Sequence, residues 1–233
     1  MDFNIFDIYN LRARIFVCIL YAAPFAFDFI YLGHFSLSTN WAFSILLVVT
    51  CQLLLNTPRP QRKSQSSNAA RDLLLPSSEL SPGTRERYYR KLSSFEPEFY
   101  CFQNYLDTQK FPDGKSAEEA CSDVIIWLRA KTRNRDQYHL ILEENINYGF
   151  IRNMVNLRFW GIRFNLISAV VFFLLCLFST YVIPGKLDPQ QFLFPALVHT
   201  LVFLYLKFCI DNSSEYAAAK RYAYALLEAI DTL

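Results

Sequence analysis

Residues 164–183 read FNLISAVVFFLLCLFSTYVI, an apolar run without a charge or a proline. As an α-helix with a rise of ~1.5 Å per residue, a run of this length matches a hydrocarbon core of ~30 Å. A helix buried in a soluble protein is the alternative, but such a helix usually carries a polar stripe, which this run lacks. Arg158, Trp160 and Arg163 precede the run, and an aromatic residue between cations is typical of a membrane interface. The run therefore predicts a transmembrane helix.

The overall composition supports a helical membrane protein. Hydrophobic residues make up 53% of the 233 residues, and the 6 glycines are too few for the many turns of a β-sandwich or barrel. A net charge of +2 gives no reason to expect a nucleic-acid partner. The 6 cysteines show no CxxC or Cys/His spacing, so reduced thiols are expected, with no disulfide framework, metal site or cofactor.

The apolar runs pair into two predicted transmembrane hairpins, residues 15–55 and residues 164–210. The first hairpin contains a shorter second run at residues 41–55. A secretory signal is the competing interpretation of the N-terminal run, because Arg12 and Arg14 precede it. That run ends in a poor cleavage site and another apolar run follows at once, so we favour four spans.

The charged segment between the hairpins, residues 56–163, holds 17 of the 23 Lys and Arg residues and is expected to lie outside the lipid. It begins with a Pro/Ser/Gln-rich linker, residues 56–83, which is expected to be extended in its first part. Three helices are expected after the linker, starting near Thr84, at Ser116 and near Asp136. Ser116 and Glu119 form a capping box, and the third helix should lead into the 164–183 run with a bend at Gly161.

The C-terminal residues 211–233 predict an amphipathic helix capped by Asn212 with Glu215. Its apolar face is formed by Tyr216, Ala219, Ala223, Leu226, Ile230 and Leu233. This face has two possible packing partners: the chain's own middle segment, or the same helix of a second subunit.

Basic residues set the expected orientation. The loops inside the two hairpins contain a single basic residue, Lys186, whereas the middle segment contains 17 and residues 1–14 and the tail contain two each. The positive-inside rule places both termini and the middle segment in the cytoplasm, with the spans in the inner (plasma) membrane. The predicted fold is thus an all-α membrane protein whose two hairpins flank a cytoplasmic helical domain.

Two ionisable residues, Asp28 and His199, lie within predicted spans, both in the outer half of the membrane. Such groups usually face a bundle interior or a water-filled cavity. If the hairpins pack together, the carboxylate and the imidazole can meet. The alternative is that Asp28 snorkels to the interface and His199 binds a neighbouring backbone group.

A second candidate site precedes the 164–183 run, where Glu144, Asn145, Tyr148 and Arg152 form a dense polar cluster. It is interpreted either as a structural network or as a contact surface for a small molecule beneath the membrane. No P-loop, dinucleotide fingerprint, Ser/His/Asp set or HExxH motif is present, so no catalytic residues and no enzyme activity are expected.

The spacing of Arg133 and His139, separated by five residues, resembles the active-site motif of HEPN-type ribonucleases. In those enzymes the pair acts on the RNA 2′-hydroxyl and phosphate. The resemblance implies a membrane-tethered ribonuclease as the alternative function. A solvated helix end explains the same residues without any activity.

The layout of two span pairs around a cytoplasmic segment resembles the small four-span effector proteins of bacterial antiviral systems. The resemblance covers the topology of most of the chain and rests on no motif. It implies a homo-oligomeric inner-membrane effector that responds to a cytoplasmic protein partner or a nucleotide-type signal and permeabilises the lipid bilayer. A small transporter is a third hypothesis, but the spans are few and lack paired broken helices.

Overall fold

A computed structural model describes residues 7–33, 45, 49, 68–112, 114, 116–184 and 187–233. The regular secondary structure of these residues is entirely helical, which confirms the predicted all-α class. The helices in chain order are α1 (Ile8–Tyr31), α2 (Ala69–Leu74), α3 (Pro82–Phe95), α4 (Tyr100–Thr108), α5 (Ala117–Lys131), α6 (His139–Tyr181), α7 (Gln190–Phe208) and α8 (Asn212–Glu228). They form two compact units. The first contains Met1–Pro60 and Gly149–Glu215, and the second contains Gln61–Tyr148 and Tyr216–Leu233.

Among the described residues, α1, α6 and α7 are long and apolar enough to cross a membrane, which is consistent with a membrane protein. Only 17% of the most apolar window of α6 is buried within the protein, so its apolar side chains face outward, where lipid can cover them. The predicted span at residues 41–55 lies outside the described residues, apart from Ile45 and Val49, which are helical.

The three long helices of the first unit have defined directions. Asn153 Nδ2 donates to the carbonyl of Ala13 at 2.7 Å, and the Tyr21 hydroxyl donates to the carbonyl of Met154 at 2.8 Å. A Cβ atom at Gly149 would lie beside Ala13, and one at Gly161 would lie beside Tyr21. Positions along α1 and α6 therefore increase together, and the two helices are parallel. Leu206 of α7 packs in the same cluster as Tyr21, whereas the Phe194 ring lies 5.6 Å from that of Phe27. The direction of α7 is therefore opposite to that of α1.

A bend was predicted at Gly161, and α6 continues through it as one helix of 43 residues. The glycine instead allows close packing. A Cβ atom added there would overlap the Tyr21 ring and lie 2.8 Å from Leu206 Cδ1. Lack of a side chain at this position thus brings α1 and α7 against α6.

Arg158 closes the C-terminal end of α7. Its Nε donates to the Leu206 carbonyl at 2.9 Å, and its Nη2 donates to the Lys207 carbonyl at 2.8 Å. Carbonyls in the last turn of a helix lack partners within the helix, and a cation also complements the negative end of the helix dipole. The interfacial arginine of the sequence therefore also serves as a cap.

The second unit has its own core, to which α8 contributes Ala219, Ala223, Leu226 and Ile230. The apolar face of α8 is therefore packed against the chain's own middle segment, one of the two predicted partners. Tyr216 and Leu233, assigned to the same face, are exposed. Ion pairs add to this packing, since Asp231 lies 2.8 Å from Arg87 and 3.0 Å from Lys91.

Helix starts agree with the sequence in part. The capping box is confirmed: Ser116 Oγ accepts from the Glu119 N–H at 3.2 Å, and Glu119 Oε2 accepts from the Ser116 N–H at 3.0 Å. The α3 helix begins at Pro82 rather than Thr84, because Ser81 Oγ accepts from the Thr84 N–H. Two short helices, α2 within the predicted linker and α4, were not expected from the sequence.

The predicted cap of α8 by Asn212 and Glu215 is wrong. Asp211 takes this role, because its Oδ1 accepts from the Ser214 N–H at 2.8 Å and Ser214 Oγ accepts from the Asp211 N–H at 3.1 Å. The bond from the Ser214 backbone, with a further one from Ser213, holds the pKa of Asp211 below its usual range. The reciprocal pair has the same logic as a capping box, displaced by one residue.

Candidate functional site

Three of the buried polar side chains of the first unit lie together: Asp28 of α1, Asn165 of α6 and His199 of α7. Their exposed fractions are 8%, 0% and 0%. The sequence identified Asp28 and His199 as ionisable groups within spans. Asn165 was missed, because it stands at the start of an apolar run, where a polar residue is ordinary.

His199 joins the other two side chains. Its Nε2 lies 2.7 Å from Asp28 Oδ2, and its Nδ1 lies 2.7 Å from Asn165 Oδ1. Asn165 Nδ2 donates to the carbonyl of Gly161 at 2.8 Å, which fixes the orientation of the amide. The alternative prediction is therefore wrong: Asp28 does not snorkel to the interface, and His199 binds side chains rather than a backbone group. We call Asp28, Asn165 and His199 the triad.

Aromatic rings form walls beside the imidazole. The ring centroid of Phe25, on α1, lies 5.0 Å from that of His199. The Phe172 ring of α6 stacks on the His199 imidazole at 5.8 Å with an interplanar angle of 14°. The faces of aromatic rings attract cations and exclude water. The rings therefore make the surroundings of the imidazole dry and compatible with a positive charge.

Each ionisable member of the triad follows a buried proline by four residues. Pro24 precedes Asp28 within α1, and Pro195 precedes His199 within α7. A proline inside a helix removes one backbone hydrogen bond and kinks or loosens the turn before it. Both helices are therefore weakened one turn from the site, where a small movement would change the distance between carboxylate and imidazole.

One carboxylate oxygen of the triad makes no hydrogen bond with the described residues. Asp28 Oδ1 is buried, and it has no hydrogen-bond partner among the described residues. An unsatisfied buried acceptor is costly and marks a place where a further hydrogen-bond donor or a proton can bind. The described residues contain no group of three or more His, Cys, Asp or Glu residues that could hold a metal ion.

No protein-family model, curated protein or solved structure matches this chain. The likeness to four-span antiviral effectors therefore rests on the layout of the chain alone. Function has to be inferred from the triad and from the topology of the helices around it.

The cluster beneath the predicted span has contacts that suit a structural role. Glu144 Oε2 lies 3.6 Å from Arg221 Nε, and the Tyr148 ring stacks on Tyr222 at 6.2 Å with an interplanar angle of 6°. Asn145 is half-buried. Arg152, the fourth residue of the predicted cluster, is exposed and belongs to the first unit. Glu144 and Tyr148 thus join α6 to α8 within the second unit.

Arg133 and His139, the pair that resembles a ribonuclease motif, are both exposed. The His139 Nε2 lies 3.8 Å from Glu143 Oε1, one helical turn away. The environment of both residues is that of a solvated helix start.

We expect His139→Ala to leave any membrane activity of the protein unchanged, because the side chain makes no buried contact that the substitution would remove. Growth arrest in cells and RNA cleavage by the purified protein are the measurements. Loss of activity in the variant, together with RNA cleavage by the wild type alone, would restore the ribonuclease hypothesis.

Proposed function

We propose that the protein permeabilises a lipid bilayer and that the triad is the polar element of its permeation path. The observation that supports this is an ionisable pair buried between apolar helices. On insertion scales a charged side chain within a span is unfavourable, by up to about 2.5–3.5 kcal/mol at its centre, and a simple membrane anchor needs no such group. Ionisable groups at such depth commonly belong to ion or proton pathways.

The proposed topology has four spans, with both termini in the cytoplasm and the spans in the inner membrane. Parallel α1 and α6 require one further crossing between them, and the apolar run at residues 41–55 supplies a sequence of suitable character. Antiparallel α7 then returns the chain to the side of the middle segment. The distribution of Lys and Arg supports a cytoplasmic location for that side.

Cysteine labelling in intact cells tests this topology. Single cysteines at Ser38 and Asp188 should react with an impermeant thiol reagent from outside, whereas cysteines at Ser66 and Ser116 should react only after lysis. Labelling at Ser116 in intact cells would contradict the four-span arrangement.

Native thiols must not obscure the labelling. Cys209 is exposed and should be replaced beforehand, together with Cys51, which lies outside the described residues. Burial raises the pKa of the Cys121 thiol to about 12, so this cysteine stays protonated and unreactive at neutral pH. Once Cys51, Cys209 and the half-buried Cys176 are replaced, the background protein should give no signal before or after lysis.

The second unit is proposed to be the regulatory part. Residues 139–148 of α6 belong to this unit and the rest of α6 belongs to the first, so a ligand that changes packing around Tyr148 acts on a helix that also carries Asn165. The proposed ligand is a cytoplasmic protein partner or a nucleotide-type signal. Homo-oligomerisation and a role in antiviral defence are parts of the same proposal and follow from the layout resemblance.

Permeabilisation can be measured directly. Expression in bacteria should depolarise the inner membrane, and purified protein in liposomes should release an entrapped small dye or dissipate a potassium gradient. The matched pair of variants is Asp28→Asn and Ile30→Ala, which change a triad residue and a neighbour that is 65% exposed. Asp28→Asn should reduce flux and Ile30→Ala should not. Inserted wild-type protein that neither depolarises cells nor releases any solute would contradict the proposed function.

A further inference from the structure

One ring nitrogen of His199, Nδ1, faces the Asn165 amide. Asn165 Nδ2 is engaged as a donor to the Gly161 carbonyl at 2.8 Å, so Asn165 Oδ1 faces His199 Nδ1. A carbonyl oxygen can only accept a hydrogen bond. His199 Nδ1 therefore carries a hydrogen in every charge state of the site.

The other ring nitrogen of His199, Nε2, faces the Asp28 carboxylate. His199 Nε2 and Asp28 Oδ2 are 2.7 Å apart, the distance of a strong charge-assisted hydrogen bond. Without a proton between them, two acceptors would face each other and the site would carry a net charge of −1. With one proton, the site is neutral whether the proton resides on nitrogen or on oxygen. A buried, apolar environment favours the neutral arrangement.

We propose that the triad is a proton-binding site that holds one proton between His199 Nε2 and Asp28 Oδ2 at neutral pH. This inference names the proton as the ligand of the permeation path. The role of the proton in permeation rests on the proposed function. A second proton has a defined place, Asp28 Oδ1, which has no donor among the described residues. Its addition gives the site a net charge of +1, and release of either proton restores neutrality.

Among the described residues, the ionisable partner of the imidazole is Asp28 of the triad. From α1 and α6 the imidazole is otherwise faced by the rings of Phe25 and Phe172. Two basic groups of α6 and α7 are engaged elsewhere: the Arg163 guanidinium lies 3.7 Å from the centroid of Phe159, and the Lys207 ammonium lies 5.5 Å from that of Phe203. Arg158 is bound to the end of α7.

Spectroscopy of the full-length protein in bilayers tests the proposal. The chain has 3 histidines, so His34→Gln with His139→Gln leaves His199 as the single imidazole for ¹⁵N solid-state NMR. At neutral pH we expect Nδ1 to be protonated, together with either a protonated Nε2 or the infrared carbonyl band of a protonated Asp28. An unprotonated Nε2 together with an ionised Asp28 carboxylate would overturn the proposal.

Variants identify the source of these signals. Asp28→Asn should remove the shared proton, so that the imidazole becomes neutral with one protonated nitrogen and the carboxylic band disappears. Ile30→Ala should change neither signal. Retention of a doubly protonated imidazole in Asp28→Asn would show that Asp28 is not its partner and would also overturn the proposal. Because these readouts do not depend on flux, a protonated triad in a protein that fails to permeabilise bilayers would refute the proposed function and leave the proton site standing.

Discussion

Asp28→Ala should destabilise the helix bundle by about 1–3 kcal/mol, the cost of leaving a buried polar group without its hydrogen-bond partner. The reason is the imidazole that remains. His199 is fully buried, and the substitution leaves Nε2 without the oxygen that now lies 2.7 Å away. Unfolding of the purified protein in mild detergent, followed by circular dichroism, measures the change.

Ile30→Ala is the control, because Ile30 is on the same helix and is exposed. It should shift stability by about 0.5 kcal/mol or less, as surface substitutions usually do. Phe27→Ala would be a poorer control, since the Phe27 ring stacks on Tyr31 at 5.3 Å and contacts Phe194. Equal stability of Asp28→Ala and Ile30→Ala would mean that the carboxylate and the imidazole do not interact in the membrane.

A double variant separates stability from function. Replacing a buried ion pair by apolar residues of similar volume is often neutral or stabilising. Asp28→Val with His199→Leu should therefore recover part of the stability lost in Asp28→Ala, with the buried Asn165 amide left without its imidazole partner. The variant should remain without flux, because the path then contains no proton-binding group. Recovery of both properties would reduce the triad to a packing element. Asp28→Asn should be intermediate in stability, since an amide keeps a hydrogen bond and loses the charge.

The sequence predicts the membrane helices well because length and hydropathy are local properties. The apolar run at 15–31 falls within a helix that can cross a bilayer, and those at 164–183 and 192–210 do so apart from their last two residues. Asp28 and His199 could be identified as candidates for the same reason, because an ionisable group stands out in an apolar run. The remaining member, Asn165, has no such contrast. Its spacing of four residues from Gly161 is a signal only once the amide is known to bind that carbonyl.

Features that depend on contacts between distant segments could not be read from the sequence. Glu144 and Tyr148 were recognised as a cluster, but their partners Arg221 and Tyr222 lie in α8, more than seventy residues away along the chain. The amphipathic pattern of α8 was equally compatible with packing inside the chain or between subunits. Local periodicity specifies which face is apolar and leaves its partner open.

The role of Gly161 also depends on distant segments. In the sequence alone, a glycine within a helix suggests flexibility, and its role in close packing becomes visible only when its neighbours are known. In the structure it carries two functions. Its missing side chain makes room for Tyr21 and Leu206, and its carbonyl accepts the amide hydrogen bond that orients Asn165 toward His199.

We therefore expect Gly161→Ala to destabilise the protein by about 1–3 kcal/mol, the usual cost of overpacking a well-packed interior. Alanine is otherwise the better helix former, by about 0.5–1 kcal/mol relative to glycine, so the sign of the effect is opposite to that of helix propensity. The ring of Tyr21 has little freedom to move away, because it is buried and its hydroxyl is bonded to the Met154 carbonyl at 2.8 Å.

Gly83→Ala is the matched control, because Gly83 also lies within a helix and a Cβ atom there would meet nothing within 4 Å. It should be neutral or slightly stabilising in the same unfolding measurement. A cycle with Tyr21→Ala isolates the contact: once the ring is removed, the further cost of Gly161→Ala should fall well below its cost in the wild-type protein. Equal costs in the two backgrounds would show that α1 does not pack on α6 at this position, and the geometry that brings Asp28 to His199 would then lose its basis.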